Sequence, residues 1–328
     1  MDENQKTALT NLLKDTKKKY GEVVIDKSHI TPCNVIRTGS LAVDIAVGIG
    51  GLPRGRVVEI SGSESSGKTT LSLQCIAEAQ KNGGICAFID AEHALDAQYA
   101  KNLGVNMDEL VVSQPDTAEE IVGICLDWAA SGLFSMLVID SVAAMIPRAV
   151  LEGEVEDKHM ALMGRLMSQN LPKVVKAVAK TDTCMLFINQ MRSNLGASGP
   201  YGPTTTTTGG RALKFYCSLR LETARTGSNK DGETVTGNKV NIKVLKNKLA
   251  APFTVAETNI VFGEGFDVNS EIIDIGVALK LIEKSGSWYA YNGERMGQGR
   301  DNSGVFLNEN QEIRNSLIDK IRQMYNIA

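Results

Sequence analysis

No apolar run in the chain approaches the roughly 18–20 residues that a membrane-crossing helix needs. The N-terminus, MDENQKTALTNLLKDTKKKYGE, lacks the apolar stretch and the small-residue cleavage site of a secretory signal. There is no internal repeat. The six cysteines (Cys33, Cys75, Cys86, Cys125, Cys184, Cys217) are nowhere closer than eleven positions, which excludes a CxxC zinc or redox pair. Several sit inside apolar, strand-like runs, and a chain of 328 residues does not need disulfide staples. They read as buried reduced thiols, which points to a cytoplasmic protein. His29, His93 and His159 are far apart and form no metal-ligand set. A basic surplus is missing too: 35 basic against 38 acidic residues gives −3, whereas nucleic-acid-binding domains usually carry a clear positive excess. The total conceals a contrast, however. Between Lys158 and Arg225 there are ten basic residues and two acidic ones, a net +8, which leaves −11 for the rest.

With 43% apolar and 22% charged residues, the chain is of the globular class and can bury at least one large core. Its start reads as a helical arm. Leu9, Leu12, Leu13 and Tyr20 fall on one face, and Lys17, Lys18 and Lys19 complement the negative end of the helix dipole. Lys27–Pro32 reads as a linker. From about 33 to 268, short apolar runs ending in a polar residue alternate with helical stretches. Four of them, Val57–Ser61, Cys86–Asp90, Met136–Asp140 and Met185–Asn189, fit a parallel sheet covered on both faces, with ligands at its C-terminal strand ends. Ser218–Glu222 and Val240–Val244 alternate apolar and polar residues and suggest further strands with one solvated face. Residues 191–210, rich in Gly, Pro and Thr, make a connection long enough to be functional or disordered. Beyond about 270 lies a smaller mixed unit, with a helix around Ile272–Leu279, a strand at Trp288–Tyr291 and a closing helix at Ile313–Met324.

Gly62-Ser63-Glu64-Ser65-Ser66-Gly67-Lys68-Thr69 has the pattern GxxxxGK[ST]. It follows a predicted strand and opens a predicted helix, the context the motif requires. Glycines let backbone N–H groups turn inward around phosphates, and the helix N-terminus adds positive potential. Lys68 is placed to reach the β- and γ-phosphates, and Thr69 to offer its hydroxyl to Mg²⁺. Asp90 and Asp140 both close apolar strands, so either fits as the second Mg²⁺-side acid. Glu92 lies two residues past Asp90 and suits orienting or deprotonating a water. Gln190, just past the fourth strand, falls where a γ-phosphate would sit.

At these residues the sequence closely resembles the bacterial RecA recombinase family. The matching stretches are Glu64–Thr70, Ala87–Asp96, Val138–Ala144, Phe187–Gln190, Thr207–Tyr216, Lys246–Phe253 and Gly297–Gly299, and the likeness covers nearly the whole chain. The resemblance implies an α/β fold: a P-loop NTPase core of RecA type with a mainly parallel sheet, an N-terminal helical arm and a small α+β C-terminal domain. It divides the chain into a polymerisation arm (1–32), an ATPase core (33–268) and a C-terminal domain (269–328). It also implies a DNA-dependent ATPase, using ATP and Mg²⁺, that forms helical filaments on single-stranded DNA and drives pairing and strand exchange with duplex DNA. By position in the family pattern, Glu92 looks like the water-activating base, Asp140 like the Mg²⁺-side acid and Gln190 like the γ-phosphate sensor. Thr70 and Asp96 fall in the nucleotide-binding stretches, and Tyr99 resembles the adenine-stacking residue. Lys246 and Lys248 resemble lysines that reach across the filament interface to a neighbour's ATP. A cation supplied in trans would stabilise transition-state charge and make hydrolysis depend on assembly.

The resemblance places DNA-facing loops at about 152–161 and 191–210, both expected to be mobile without DNA. Met160, Arg165, Ser168, Lys173, Arg192, Leu195, Gly209, Gly210 and Arg211 are the DNA-binding residues it implies. Backbone amides and arginines there would hold phosphates without reading bases, and Met160 and Leu195 would wedge between bases. Some positions depart from the pattern. Pro172 stands where the family usually has a basic residue, with Lys173 directly after it. The second loop is about two residues longer, and Asn269 replaces an aromatic. The sequence stops at Ala328 without the acidic tail common in bacterial relatives, which predicts weaker autoinhibition towards duplex DNA. A ring-forming helicase motor, or a regulator that promotes self-cleavage of a repressor while holding ATP, are the other functions such a core would serve. No membrane partner is expected.

Overall fold

In a computed structural model of the chain, residues 2–21, 33–153, 159–193, 205–207 and 212–327 are described. Two compact units result, Met1–Cys33 and Asn34–Ala328. The first contains α1 (Glu3–Tyr20), opened by a capping box between Asp2 and Gln5 and carrying Lys17, Lys18 and Lys19 in its last turn. The predicted linker Lys27–Pro32 lies outside the described residues.

The second unit opens with a short antiparallel pair, β1 (Val35–Ile36) and β2 (Leu52–Pro53), flanking α2 (Leu41–Val47). Strands and helices then alternate: β3 (Val57–Gly62), α3 (Lys68–Lys81), β4 (Ile85–Asp90), α4 (Ala97–Asn102), β5 (Val111–Ser113), α5 (Ala118–Ser131) and β6 (Phe134–Asp140). After α6 (Arg148–Leu151) and α7 (His159–Thr181) come β7 (Cys184–Ser193), β8 (Thr205–Thr207), α8 (Ala212–Tyr216), β9 (Leu219–Asp231), β10 (Thr234–Asn247), β11 (Val255–Val261) and β12 (Gly265–Phe266). The chain closes with α9 (Val268–Ala278), strands β13 (Glu283–Ser285), β14 (Trp288–Tyr291) and β15 (Glu294–Gln298), then α10 (Arg300–Glu309) and α11 (Gln311–Met324).

The main sheet has the order β12-β11-β10-β9-β3-β7-β6-β4-β5. From β9 to β5 all neighbours are parallel, and β9 to β12 extend the sheet antiparallel. The four predicted central strands read as unbroken apolar runs because alternate residues feed two separate cores. Val58, Ile60, Phe88, Val138 and Ile188 face a cluster completed by Leu71, Leu73 and Ile76 of α3. Val57, Ile89, Ile139, Met185 and Phe187 face a cluster built with α5 and α7, including Ile121, Cys125, Met167 and Val174. Burying both faces of a parallel sheet removes the polar–apolar alternation. On β10 that alternation returns, as expected for a strand with one solvated face. A third core, with Ile272, Ile273, Tyr289, Leu307, Leu317 and Ile321, belongs to the C-terminal elements and also takes in Leu41 of α2. Five of the six cysteines are buried, and burial pushes the Cys86 and Cys125 thiols up to about 12.

Both expected loop stretches have regular structure at their described ends. Residues 159–161, counted with the first DNA-facing loop, are already helical, because α7 starts at His159. The 191–210 stretch is not irregular at its described ends. Met191–Ser193 continue β7 and pair antiparallel with Thr205–Thr207, since the β-branched threonines suit a strand. Pro172 lies inside α7, where it removes a backbone donor without ending the helix.

Candidate active site

The C-terminal ends of β3, β4, β6 and β7 lie side by side. Gly62 is in register with Gln190, and Asp90 with Asp140. This is where ligands bind in open α/β sheets. The phosphate loop runs from Gly62 into α3 and is braced from within. Lys68 Nζ donates to the Ser63 carbonyl at 2.6 Å, and Ser66 Oγ donates to the same carbonyl at 2.7 Å. Ser66 Oγ also lies 2.7 Å from Thr223 Oγ1 on β9. This packing leaves no room at Gly62, where a Cβ would fall 2.4 Å from the Thr223 carbonyl oxygen. Gly67 has φ +91° and begins α3 without a side-chain cap, so the first amides of the helix are not capped by a side chain. Glu64 and Ser65 are exposed at the tip of the loop.

Thr69 Oγ1 donates to Asp140 Oδ2 at 2.9 Å. Asp90 is occupied otherwise: it accepts the backbone N–H groups of Ala94 and Leu95 and the amide of Gln114, at 3.0–3.2 Å. The geometry thus separates the two strand-end acids. Asp140 faces the phosphate loop, and Asp90 braces the turn that carries Glu92. Burial raises the Asp140 carboxyl to about 6, partly offset by the Thr69 hydrogen bond and the Lys68 charge and reinforced by the negative charge of Glu92. Burial also lowers the Lys68 ammonium, against the pull of Asp140, Glu92 and Glu64. Glu92 Oε1 accepts two hydrogen bonds, from Ser141 Oγ at 2.5 Å and from Gln190 Nε2 at 3.0 Å.

Beside the loop, a pocket of about 250 Å³ is lined by Ser65–Thr70, Tyr99, Asn238, Ile260 and Phe262. Tyr99 is fixed there from two sides. Its hydroxyl meets Thr70 Oγ1 at 2.8 Å, and Asp96 caps α4 by accepting the N–H groups of Gln98 and Tyr99. Asn238, Ile260 and Phe262 come from the antiparallel extension, and sequence reasoning missed all three. No motif marks them, and only the pairing of β10 with β11 brings them to the loop. Asn238 Oδ1 is buried without a hydrogen-bond partner among the described residues, as expected of a polar group that lines a ligand site. Uncapped helix amides, a buried lysine and an apolar-aromatic pocket fit a nucleoside triphosphate. A hydroxyl and a carboxylate 2.9 Å apart are the hard oxygen donors that suit Mg²⁺. A larger cleft of about 520 Å³ lies among α2, α3 and α11 and contains none of these residues.

Lys246 and Lys248 are not part of this pocket. Lys246 Nζ donates to the carbonyls of Lys214 and Phe215 at 2.8 and 3.0 Å. The Lys248 N–H bonds the Ser218 carbonyl, and the Ser218 N–H bonds that of Val57, the first residue of β3. Lys248 therefore lies level with the end of β3 opposite Gly62, about 16 Å along the strand at about 3.3 Å per residue, and Lys246 lies level with Glu59 in mid-strand, through its pairing with Arg220. Asn269, expected in place of an interface aromatic, is tied instead within the C-terminal elements. It donates to Gly304 and Asn308 and accepts from Arg314.

Of the predicted DNA-binding residues, Arg165, Ser168 and Lys173 are exposed on α7. Met160 is the second residue of the same helix, and Arg192 lies in the β7 extension two residues after Gln190. Leu195, Gly209, Gly210 and Arg211 lie outside the described residues. No described helix is long and apolar enough to cross a membrane.

Residues 7–267 match the family model of the RecA N-terminal domain, and residues 270–326 that of the RecA C-terminal domain. Protein RecA of Thioalkalivibrio sulfidiphilus is 51% identical over 329 residues, which covers 99% of this chain and 95% of that protein. Protein RecA of a Nitratiruptor species is 52% identical over 326 residues, 98% of this chain and 94% of that protein.

Proposed function

The chain belongs to the RecA family, and from that premise we propose how its own residues carry the activity. It is a RecA-type recombinase: a DNA-dependent ATPase that binds DNA, forms filaments and acts in recombination and repair. The nucleotide is ATP. The phosphates lie on the amides of Gly62–Thr70, with Lys68 on the β- and γ-phosphates, and the base lies against Tyr99 with Asp96 behind it. Thr69 and Asp140 hold Mg²⁺, which when bound shields the negative charge of the phosphates.

Glu92 is the base that takes a proton from the attacking water, and Gln190 is the sensor of the γ-phosphate. The observation that carries this reading is the shared Glu92 oxygen. While Gln190 and Ser141 both donate to it, its ability to accept a proton is reduced. When Gln190 turns to a γ-phosphate, Glu92 is freed for the water. Gln190 also stands immediately before the β7–β8 extension, so DNA held by the 191–210 segment bears directly on the sensor. Arg165, Ser168, Lys173, Arg192 and Arg211 hold the phosphates of single-stranded DNA, and duplex DNA is the exchange partner. Lys246 and Lys248 act in trans on a neighbour's ATP, with the 1–32 arm serving polymerisation. The 33–268 core holds the chemistry, and 269–328 is the C-terminal domain. The protein works in the cytoplasm, and its filament promotes self-cleavage of a repressor.

The test is DNA-stimulated ATP hydrolysis together with strand exchange between homologous molecules. Lys68→Ala should abolish nucleotide binding and exchange. Full-rate exchange by that variant would overturn the ATP-filament mechanism.

A further inference from the structure

On the side of the sheet that faces α5 and α7, three neighbouring strands carry polar side chains in otherwise apolar surroundings: Glu59 on β3, Asn189 on β7 and Arg220 on β9. Val57, Met185 and Phe187 on the same face belong to the apolar core. Glu59 and Asn189 are fully buried, and the Arg220 side chain is 14% exposed. Arg220 Nε donates to Glu59 Oε2 at 2.5 Å, and Asn189 Nδ2 donates to Glu59 Oε1 at 3.0 Å. The Asn189 side-chain oxygen, Oδ1, then accepts the backbone N–H of Gln190, also at 3.0 Å.

The polarity of this chain is set by chemistry. A guanidinium only donates, and a carboxylate only accepts. Glu59 therefore draws the NH₂ of Asn189 towards itself, which turns the Asn189 oxygen to the Gln190 N–H. From there the Gln190 side chain reaches Glu92. At the other end, Arg220 is the register partner of Lys246 on β10. Stability alone gives little reason for such a group. Two buried charges lose hydration that their attraction roughly repays, and apolar residues of similar volume often hold a fold as well or better.

We propose that Glu59 is a positioning residue for Gln190, and that Arg220–Glu59–Asn189 relays the state of the Lys246 edge to the nucleotide site. The inference rests on the reading of Gln190 as sensor and Lys246 as an interface lysine. An interface that draws on Arg220 loosens its hold on Glu59. That frees the Asn189 amide, and with it the strand-end geometry that aims Gln190 at Glu92.

The experiment compares Glu59→Gln, the paired apolar variant Glu59→Leu/Arg220→Met, Gln190→Ala, and Glu59→Gln combined with Gln190→Ala. Melting temperature, ATP affinity, DNA-free hydrolysis, and kcat and KM with single-stranded DNA are measured for each. The paired variant guards against misfolding, because it removes both charges together. In both Glu59 variants the DNA-stimulated kcat should fall about tenfold, within the range of measured couplings between sites. KM, ATP affinity and DNA-free hydrolysis should stay near wild type in both, and the melting temperature in the paired variant, whereas Glu59→Gln, which leaves Arg220 unpaired, should melt lower. Glu59→Gln should add nothing to Gln190→Ala, because both act through one group. DNA stimulation within twofold of wild type in the Glu59 variants overturns the relay, as does additivity with Gln190→Ala. Parallel loss of ATP affinity and DNA-free hydrolysis overturns it too, by making the network merely structural. Full stimulation in Gln190→Ala overturns the sensor reading itself; stimulation lost there but kept in the Glu59 variants overturns the relay alone.

Discussion

Glu92 Oε1 takes both the Ser141 and the Gln190 hydrogen bond. A glutamine at this position keeps an acceptor oxygen for those two donors but cannot take a proton. Glu92→Gln should therefore bind ATP within about twofold of wild type while DNA-stimulated hydrolysis falls by roughly 10²–10⁴, the usual worth of a general base. Nucleotide titration and steady-state turnover on the same preparation check both halves. Gly62 makes a different kind of demand. Its missing Cβ is what lets β9 approach, because Thr223 contributes both its hydroxyl and its carbonyl to that space. Gly62→Ala should cost about 1–3 kcal/mol by overpacking and weaken ATP binding, since Ser66 is braced by the same threonine. Thermal unfolding and ATP affinity read this directly. The residue types of the phosphate loop were legible in the sequence because its chemistry is local. The pocket wall of Asn238, Ile260 and Phe262 was not, because it comes from strands almost 200 residues downstream.

Among the elements, α11 shows how the C-terminal helices attach to the core. Arg322 of α11 meets Asp44 of α2 in a buried ion pair, and Asp44 also accepts from the Thr38 backbone and hydroxyl. Glu271 of α9 joins the same region, accepting from Ser40, Thr258 and the Ala42 N–H. Removing one partner strands a buried charge, so Arg322→Met should cost about 3–5 kcal/mol in denaturant unfolding. Burial raises the Asp44 carboxyl from 3.8 to about 7, against the pull of Arg322. Between pH 4 and 7 the folded chain thus keeps a proton that the unfolded chain has released. The contribution of this group to stability must fall as pH rises through that window and level off above it. The stability of wild type minus that of Asp44→Asn should decline by up to about 4 kcal/mol from pH 4 to 7, at about 1.36 kcal/mol per unit. A flat difference would show that Asp44 does not titrate there. The strands and helices themselves were legible because their apolar runs and periodicities are strong. The latch was not, since Asp44 and Arg322 are 278 positions apart and nothing local marks either. The β7–β8 pairing escaped for a related reason: a Gly- and Pro-rich stretch reads as a loop even where its ends pair.

At the scale of the whole molecule, Lys248 lies level with the far end of β3 from the phosphate loop and neither lysine lines the nucleotide pocket, so the role proposed for Lys246 and Lys248 requires a neighbour's site. A head-to-tail arrangement that presents the lysine end of one copy to the loop end of the next is a heterologous contact, and contacts of that kind propagate into open helical filaments when the rotation does not close. The net +8 between Lys158 and Arg225 then repeats with every copy along the axis, which reconciles an overall charge of −3 with binding a polyanion. Shared sites make a prediction that no single-subunit mechanism makes. Lys248→Ala should bind ATP normally and assemble, yet lose DNA-stimulated turnover, because the charge stabilisation of the neighbour's site is gone. Glu92→Gln should be inactive for the separate reason argued above. In a random one-to-one mixture, an interface works when a Lys248→Ala subunit supplies the pocket and a Glu92→Gln subunit supplies the lysine. About a quarter of the interfaces meet that condition, so the mixture should recover up to about a quarter of the wild-type rate although neither variant turns over alone. Turnover measured against mixing ratio should peak near equal amounts. A mixture as inactive as its components would show that Lys248 serves its own subunit's pocket.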